Sequence, residues 1–354
     1  MIILPSITDM NMKRLQGEMA AIGEPAFRAK QLQSWAYQKL AASFDEMSDL
    51  PLSLRHILKE KIRLSTLSPY GEPCRNNDTV KMLFKLEDGK TIEAALMHYA
   101  ESAGKERNTV CVSTQVGCPV GCPFCATGQQ GFERNLTAGE IIDQVLYFAR
   151  NLKAYGGKVT NIVFMGMGEP LANYEALLEA VKSLNSPDMF GLSARNMTIS
   201  TVGLVPQINR LSREKLQVGL AISLHAADDD LRNRLVPVNK KYPVKELMKA
   251  CRDYFEATGR RITFEYALFA GVNDSLAHAR TLAHLLHGFN CHVNLIPSNN
   301  TPDSEYRAPA ADVVHSFKEE LDRLGINATI RHSRGQDINA ACGQLRSRFL
   351  SDKK

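Results

Sequence analysis

From about residue 104 onward, short runs rich in β-branched residues alternate with longer segments of helical periodicity. The runs predicted to be strands are residues 110–114, 161–164, 197–201, 220–224, 262–268, 292–296 and 328–331. Helices are predicted at 174–184, 244–257, 275–287 and 309–324, and after a Thr137-Ala-Gly-Glu140 capping box. This alternation predicts an α/β protein with a parallel sheet, either open or closed into a partial barrel. Ligand sites on such sheets lie in the loops that follow the carboxyl ends of the strands.

The first 75 residues have a different pattern. Helices are predicted at residues 10–22, 24–40 and 51–62. Two alternating runs, 82–86 and 91–96, then flank Asp88-Gly89, which is typical of a β-hairpin. We therefore expect four regions, which are a small helical N-terminal domain over 1–75, a hairpin linker over 76–103, the main domain over 104–345 and a basic tail over 346–354.

Composition excludes few functions but restricts the compartment. The net charge of +5 permits a polyanionic partner without requiring one. No window holds eighteen consecutive apolar residues, and the first residues lack the pattern of a signal peptide, so we expect a cytoplasmic protein with no membrane partner. Eight cysteines in that compartment remain thiols, and their spacing is therefore examined for metal binding or catalysis.

Three cysteines form the strongest local motif, Cys118-Pro-Val-Gly-Cys122-Pro-Phe-Cys125. Because iron–sulfur clusters are commonly held by four cysteines, a compact group of three indicates a [4Fe-4S] cluster with one iron left open for a small molecule. A zinc site completed by a distant histidine or cysteine is the alternative. No second CxxC or HxxxH motif appears in the chain to complete it.

The motif, with Phe124 before the last cysteine, resembles the signature of radical S-adenosylmethionine (radical SAM) enzymes, which share a partial (β/α) barrel similar to a TIM barrel. Further segments make the chain similar to the RlmN/Cfr family, which methylates an adenine carbon in RNA: Gln115-Val-Gly-Cys118, Gly131-Phe-Glu-Arg-Asn-Leu-Thr137, Phe164-Met-Gly-Met-Gly-Glu-Pro170, Ser223-Leu-His225, Gly271-Val-Asn-Asp274, Val293-Asn-Leu-Ile-Pro297 and Asp337-Ile-Asn-Ala-Ala-Cys-Gly-Gln-Leu345. The resemblance covers nearly the whole chain.

The resemblance implies two cofactors and their contacts. A [4Fe-4S] cluster would bind Cys118, Cys122 and Cys125, and its open iron would bind the amino and carboxylate groups of S-adenosylmethionine, which one electron then splits to a 5′-deoxyadenosyl radical. The implied S-adenosylmethionine contacts are Gly168, Glu169, Ser200, Ser223, Leu224, His225 and Asn299. Taken singly, Gly166-Met-Gly168 is a weak signal for a binding loop, because helix entries and tight turns account for most such glycine repeats, and His225 is as often a structural histidine as a ligand.

Three further residues match catalytic positions of the family. Cys342 matches the cysteine that carries a methyl group to the adenine, Cys111 matches the thiol that releases the product through a transient disulfide, and Glu93 matches the base that takes the proton from the modified carbon. The residues alone leave other interpretations open: a buried free thiol for Cys342 and a solvated glutamate for Glu93, because it alternates with Ile92 and Ala94. Cys74, Cys251 and Cys291 match no family position.

The implied substrates are one adenosine of 23S rRNA and the adenosine 3′ to the anticodon of certain tRNAs, with the N-terminal domain helping to bind the RNA. Methylation at C2 is expected, because Met167-Gly-Glu-Pro170 fits the C2 group better than the C8 group of Cfr type. The expected reductant is a cytosolic donor of the flavodoxin type, and the protein is expected to be a monomer. A non-catalytic iron–sulfur or zinc protein that binds RNA is the alternative of a different class.

Overall fold

The computed structural model describes residues 4–102, 105–299, 305–331 and 344–345. Its helices are Met12–Ala21 (α1), Phe27–Tyr37 (α2), Leu52–Lys61 (α3), Ala126–Gln129 (α4), Ala138–Lys153 (α5), Tyr174–Asn185 (α6), Val205–Leu211 (α7), Asp229–Leu235 (α8), Val244–Thr258 (α9), Leu276–Leu286 (α10) and Ala311–Arg323 (α11). Its strands are Leu67–Pro69 (β1), Cys74–Arg75 (β2), Thr79–Leu86 (β3), Thr91–Ser102 (β4), Lys105–Cys111 (β5), Gln115–Gly117 (β6), Phe132–Asn135 (β7), Asn161–Phe164 (β8), Met197–Thr201 (β9), Gly219–Ser223 (β10), Ile262–Leu268 (β11), Cys291–Pro297 (β12) and Ala328–Ile330 (β13).

One sheet contains most of these strands, in the order β1-β3-β4-β5-β8-β9-β10-β11-β12-β13, with β2 paired to β3. Within this sheet, every pairing along the path from β5 to β13 is parallel, and the pairings among β1 to β5 are antiparallel. Over the residues that the structure describes, this path does not return to its first strand. The prediction of an α/β protein with a parallel sheet is confirmed.

The two faces of the parallel strands differ in polarity. Side chains alternate along each strand, and residues paired in register share a face. One face carries Ile162, Ile199, Leu220 and Phe264, which are buried against the helices. The opposite face carries polar side chains, among them Ser200, Ser223, Glu265 and Asn294. The sheet therefore presents polar groups on the side that the helices do not cover.

The helices bury their apolar sides on the sheet. The capping box predicted at the start of α5 is present: the Thr137 hydroxyl accepts from the Glu140 backbone N–H, and the Glu140 carboxylate accepts from that of Thr137. Helices α7 and α8 and the small β6–β7 sheet were not predicted, because segments of three to seven residues carry too little periodicity. Within the described residues, no helix is both long and apolar enough to cross a bilayer.

The N-terminal helices and the hairpin occupy one end of the sheet. The predicted hairpin is confirmed as β3 and β4, and β4 also pairs with β5, so the hairpin extends the main sheet. The N-terminal domain is tied to α5 by Asp143, whose Oδ2 accepts from Thr66 N (2.7 Å) and Thr8 Oγ1 (2.9 Å). The prediction that residues 110–114 form one strand is wrong at its end. The strand stops at Cys111, because Thr114 N donates to Met167 O in the loop after β8.

Candidate active site

A single pocket lies at the carboxyl ends of β8 to β12. Its wall gathers most of the residues that the sequence predicted as cofactor contacts, although they come from distant segments of the chain. The lining residues are Cys118, Val120, Cys122, Phe124, Cys125, Gly128, Phe164, Met165, Gly166, Gly168, Glu169, Pro170, Ser200, Thr201, Val202, Ser223, His225, Glu265, Ala267, Phe269, Ile296, Ser298, Asn299 and Arg331. This is the edge at which ligands of parallel sheets bind.

The three cysteines of the motif line one side of this pocket, in the loop between β6 and α4. Cys122 is buried, and Cys118 and Cys125 are half-buried. Burial, with a smaller contribution from the neighbouring cysteines, raises the pKa of the Cys118 thiol to about 12 and that of the Cys122 thiol well above its ordinary range. As isolated groups these thiols therefore resist ionisation, and a bound cationic metal would stabilise their thiolates.

The donor set fits an iron–sulfur cluster. Among the described residues, no three His, Cys, Asp or Glu side chains lie close enough together to bind one metal ion. In a [4Fe-4S] cluster each thiolate binds a different iron, so its ligands need not converge on one point. The three sulfurs on one pocket wall supply the soft ligands that iron–sulfur clusters take from proteins.

The loop after β8 packs against the end of β5 through two glycines. A Cβ at Gly166 would lie 2.7 Å from the carbonyl oxygen of Val112, and one at Gly168 would lie 2.7 Å from Cβ of Gln115. Gly168 also has a φ of 104°, which side-chain-bearing residues rarely adopt. Both positions therefore require glycine, because a side chain would clash with the neighbouring segment. The weak glycine signal in the sequence thus marks a closely packed loop of the pocket.

Glu169 follows this loop and is buried at the pocket wall. Its Oε2 accepts from Val202 N (2.9 Å) and its Oε1 from Leu171 N (3.0 Å). Burial raises the pKa of this carboxyl group to about 7, and those backbone hydrogen bonds limit the rise. Near neutral pH the group can thus gain or lose a proton, and a donor from a ligand would favour its ionised form.

The ends of β9 and β10 supply hydroxyl and imidazole groups. The Ser200 and Ser223 hydroxyls lie 3.4 Å apart, and both line the pocket. His225 has a φ of 61° and its Nδ1 accepts from Ala267 N (3.0 Å), so the ring hydrogen of the neutral form lies on Nε2. Burial lowers the pKa of His225 to about 3, with the Arg232 charge adding to the effect. His225 is therefore a neutral donor at the pocket wall.

Two predicted contacts lie at the margins of this arrangement. The Leu224 side chain is fully buried and is not among the described lining residues. The Leu224 backbone N donates to Glu265 O (3.0 Å). Asn299 lines the pocket and is buried. Phe124 packs edge-on against His225 at a ring separation of 5.0 Å and also contacts Phe269, so an aromatic wall joins the cysteine loop to the strand ends.

Glu93 is buried, and the alternative interpretation of a solvated glutamate is therefore wrong. Its carboxylate forms an ion pair with Lys81 (3.0 Å), which is also buried. Its backbone N donates to Met167 Sδ (3.4 Å), and its carbonyl accepts from Ser113 Oγ (2.6 Å). Alternation along β4 indicated only that Glu93 faces away from Ile92 and Ala94. That opposite face is covered in the folded chain, which the strand pattern could not reveal.

Cys111 is buried at the end of β5, in register with Ala95 of β4. Residues in register share a face, and Glu93 lies two positions from Ala95, so Cys111 and Glu93 face the same side of the sheet. Cys342 lies outside the described residues, as does the segment around it. Of the cysteines without a predicted role, Cys74 is exposed, Cys251 is buried and Cys291 is half-buried.

Several polar residues at the pocket were not predicted from the sequence. Glu265 is buried at the wall, where its Oε1 accepts from Asn294 (2.9 Å) and its Oε2 lies 3.5 Å from Arg331. Burial raises the pKa of Glu265. Arg232, fully buried behind the pocket, hydrogen-bonds to the ends of two strands. These residues stand in no motif, and their position depends on pairings between strands far apart in sequence.

Comparison with known proteins identifies the family. The model of the radical SAM superfamily matches residues 112–283, and that of the ribosomal RNA large subunit methyltransferase N-terminal domain matches residues 6–64. Proteins named "Probable dual-specificity RNA methyltransferase RlmN" from Staphylococcus aureus strains JH9 and MRSA252 are each 46% identical over 343 residues, covering 97% of this chain and 93% of theirs. The chain belongs to the RlmN family of radical SAM RNA methyltransferases.

A solved structure from the same group agrees. The crystal structure of a radical SAM methyltransferase from Sphaerobacter thermophilus is 50% identical, with a TM-score of 0.93 over 97% of this chain and 99% of that one. The resemblance to the RlmN/Cfr family and the radical SAM fold that it implies are thereby confirmed. Membership of the family carries a [4Fe-4S] cluster and S-adenosylmethionine as cofactors, and RNA as substrate.

Proposed function

We propose that this enzyme methylates C2 of one adenosine in 23S rRNA and of the adenosine 3′ to the anticodon in certain tRNAs. The observation that carries the proposal is the 46% identity, over 97% of the chain, to proteins named dual-specificity RNA methyltransferases. The pocket supports it, because cysteine, glycine, carboxylate and hydroxyl groups from distant segments meet on one wall. We also propose that the enzyme acts in the cytoplasm as a monomer and receives its electron from a flavodoxin-type donor.

We assign the cofactors to this pocket. Cys118, Cys122 and Cys125 would hold a [4Fe-4S] cluster. Bound together with S-adenosylmethionine, that cluster supplies radical chemistry, which can modify an electron-poor ring carbon that polar attack cannot. Glu169 would accept hydrogen bonds from the amino group of S-adenosylmethionine. The remaining contacts would be the Gly168 backbone, the Ser200 and Ser223 hydroxyls, the Leu224 backbone, the His225 Nε2–H and the Asn299 amide.

We assign the methyl transfer to three side chains. Cys342 would carry the methyl group as S-methylcysteine. The radical that the cofactors supply would take one hydrogen atom from that group, and its carbon would then bond to C2 of the adenine, with the surplus electron returning to the cluster. Glu93 would take the proton from C2, a role that needs a carboxylate near the pocket and kept ionised. Its ion pair with Lys81 and its backbone contacts to Met167 support this assignment. Cys111 would then attack the Cys342 sulfur, releasing the product and forming a disulfide that cytosolic thiols reduce.

Nucleoside mass analysis of 23S rRNA and tRNA from cells with and without the gene tests the position of the methyl group. We expect 2-methyladenosine to disappear with the gene, to return with the wild-type copy, and not to return with Cys342→Ala, because the methyl carrier is gone. Persistence of 2-methyladenosine in cells lacking the gene would refute the proposal. Loss of 8-methyladenosine instead would establish methylation of the Cfr type.

A second assay separates an enzyme from a protein that only binds RNA. Anaerobically purified protein should contain iron and sulfide and should form 5′-deoxyadenosine from S-adenosylmethionine when dithionite is added. A colourless protein that contains zinc and no iron would overturn the assignment of the cysteines. Iron and sulfide without 5′-deoxyadenosine would favour the non-catalytic alternative.

A further inference from the structure

Arg232 is a fully buried arginine on the short helix α8, and the assignments above give it no role. Its Nη2 donates to Val202 O (2.6 Å), at the end of β9, and to Ser223 O (3.3 Å), at the end of β10. Its Nε donates to Leu224 O (3.1 Å). The guanidinium group therefore ties together the two strand ends that carry Ser200 and Ser223.

Among the residues that the structure describes, no acidic side chain is in direct hydrogen-bond contact with this group. Three acceptors are the backbone carbonyls named above, and the fourth is the Asn239 amide oxygen, 2.7 Å from Nη1. The carboxylate of Asp229 enters only at one remove, since it accepts from Asn239 Nδ2 (2.8 Å) and also from Val244 N (2.8 Å). A cation taken out of water loses its hydration, and a nearby anion offsets that cost more fully than neutral acceptors do.

Cys122 lies on the same side of α8 as the apolar residues of that helix. Leu231 and Leu235 pack with Cys122 in one buried cluster. Val202 and Ser223, whose carbonyl oxygens accept from the Arg232 guanidinium group, line the same pocket as Cys118, Cys122 and Cys125. Burial lowers the pKa of Arg232 only to about 10, so the arginine stays charged at neutral pH.

Carbonyl oxygens alone do not require an arginine. A neutral amide could donate to Val202 O or Leu224 O without placing an ionised group in the interior. The buried charge of Arg232 is explained if the neighbouring cysteine loop is anionic when it is loaded, because three thiolates add three negative charges to whatever metal group they bind. Reduction of that group would add one more.

We propose that Arg232 is the resident counter-charge of the cysteine loop and stabilises the reduced form of the cluster held by Cys118, Cys122 and Cys125. This inference rests on the proposed cluster. The carbonyl contacts hold the guanidinium group at the strand ends beside the pocket, so that its position does not depend on a bound cofactor. Arg232 is thus a positioning residue through its hydrogen bonds and an electrostatic partner of the cluster through its charge.

The test measures the midpoint potential of the cluster in anaerobically reconstituted protein, by redox titration followed by electron paramagnetic resonance, together with iron and sulfide content. Three variants are compared with the wild type. Arg232→Gln removes the charge but keeps an amide donor, Arg232→Lys keeps the charge but loses the planar donor group, and Arg234→Gln removes an exposed charge from the same helix. We expect a more negative potential for Arg232→Gln and a potential near that of the wild type for the other two.

Each outcome decides the point. An Arg232→Gln protein with full iron and sulfide and an unchanged potential would overturn the inference. If Arg232→Gln does not hold iron, Arg232→Lys decides the point. Retention of the cluster at the wild-type potential in Arg232→Lys supports a role of the charge. Loss of the cluster in Arg232→Lys as well would show that Arg232 acts through its hydrogen-bond geometry and not through its charge, which overturns the inference. Absence of a cluster from the wild type would instead refute the proposed function itself.

Discussion

The parallel and antiparallel halves of the sheet both bury a carboxylate beside the pocket region, but they treat it differently. In the parallel half, Glu169 accepts hydrogen bonds from backbone N–H groups, and burial raises its pKa to about 7. In the antiparallel half, Glu93 is paired with the buried Lys81 ammonium group. A carboxylate with neutral donors still has a favourable interaction to gain from a cationic ligand, whereas one paired with a resident cation already has such an interaction.

The two halves also reach the same edge of the sheet by different routes. Parallel strands present their carboxyl ends there, and the cofactor residues follow those ends. Strand β4 runs antiparallel to β5, so its beginning, with Glu93, lies beside the end of β5, with Cys111. We infer that the parallel half holds the cofactors while the antiparallel half supplies the base and one of the two thiols of the transfer.

The largest effect should distinguish the cysteine loop that lies beside the parallel half from a cysteine on a strand of the antiparallel half. Cys122→Ala should abolish iron binding and 5′-deoxyadenosine formation, because the cluster loses one of three ligands. Cys74→Ala changes an exposed cysteine on β2 of the antiparallel half and should leave both unchanged. Iron, sulfide and product assays on the two purified variants check this. Normal iron content in Cys122→Ala would contradict the inference that the parallel half holds the cofactors.

A carboxylate change in the antiparallel half should affect the chemistry and not the cofactor. Glu93→Gln keeps the shape but removes the base, and we expect RNA methylation to fall by roughly 10²- to 10⁴-fold. The Kd for S-adenosylmethionine should stay within about twofold, because Glu93 is not among the residues that line the pocket. Parallel measurements of methylation rate and equilibrium dialysis check this. A weakened Kd with an unchanged rate would reverse the assignment of the two halves.

Protonation of Glu169, the carboxylate of the parallel half, should make the affinity for S-adenosylmethionine depend on pH. If the ionised Glu169 accepts from the amino group of S-adenosylmethionine, binding below a pKa of about 7 first requires loss of a proton. The affinity should therefore fall by up to about tenfold per pH unit below pH 7 and level off above it. Equilibrium dialysis between pH 5.5 and 8 measures the profile. Glu169→Gln should bind more weakly and lose this pH dependence, and an identical profile in that variant would exclude Glu169 as its source.

The smallest effect should come from Thr137, which stabilises helix α5 and is not one of the predicted site residues. Thr137→Ala removes the side-chain half of the capping box of α5 and should lower the free energy of unfolding by about 1 kcal/mol. Chemical denaturation measures that change, and the Kd for S-adenosylmethionine should not move. A large loss of affinity in this variant would mean that modest destabilisation alone can mimic the effects expected for the other variants.

Much of the parallel half could be predicted from the sequence. Strands β8 and β9 begin and end where the sequence predicts them, because runs of β-branched residues buried by helices have a strong local signal. The three cysteines and the glycine loop could also be found, since each occupies a short contiguous motif. The small strands β1, β2, β6 and β7 could not, because their two to four residues contain no run of β-branched side chains.

The chain by itself determines the order of strands and helices, the cysteine spacing and the family to which the protein belongs, because those properties reside in contiguous residues. Only the tertiary structure decides that Glu93 is buried against Lys81 and that Arg232 joins the ends of β9 and β10. Side-chain alternation indicates which face of a strand a residue occupies, but not what covers that face. Burial and charge pairing depend on segments far apart in sequence, which only the folded chain brings together.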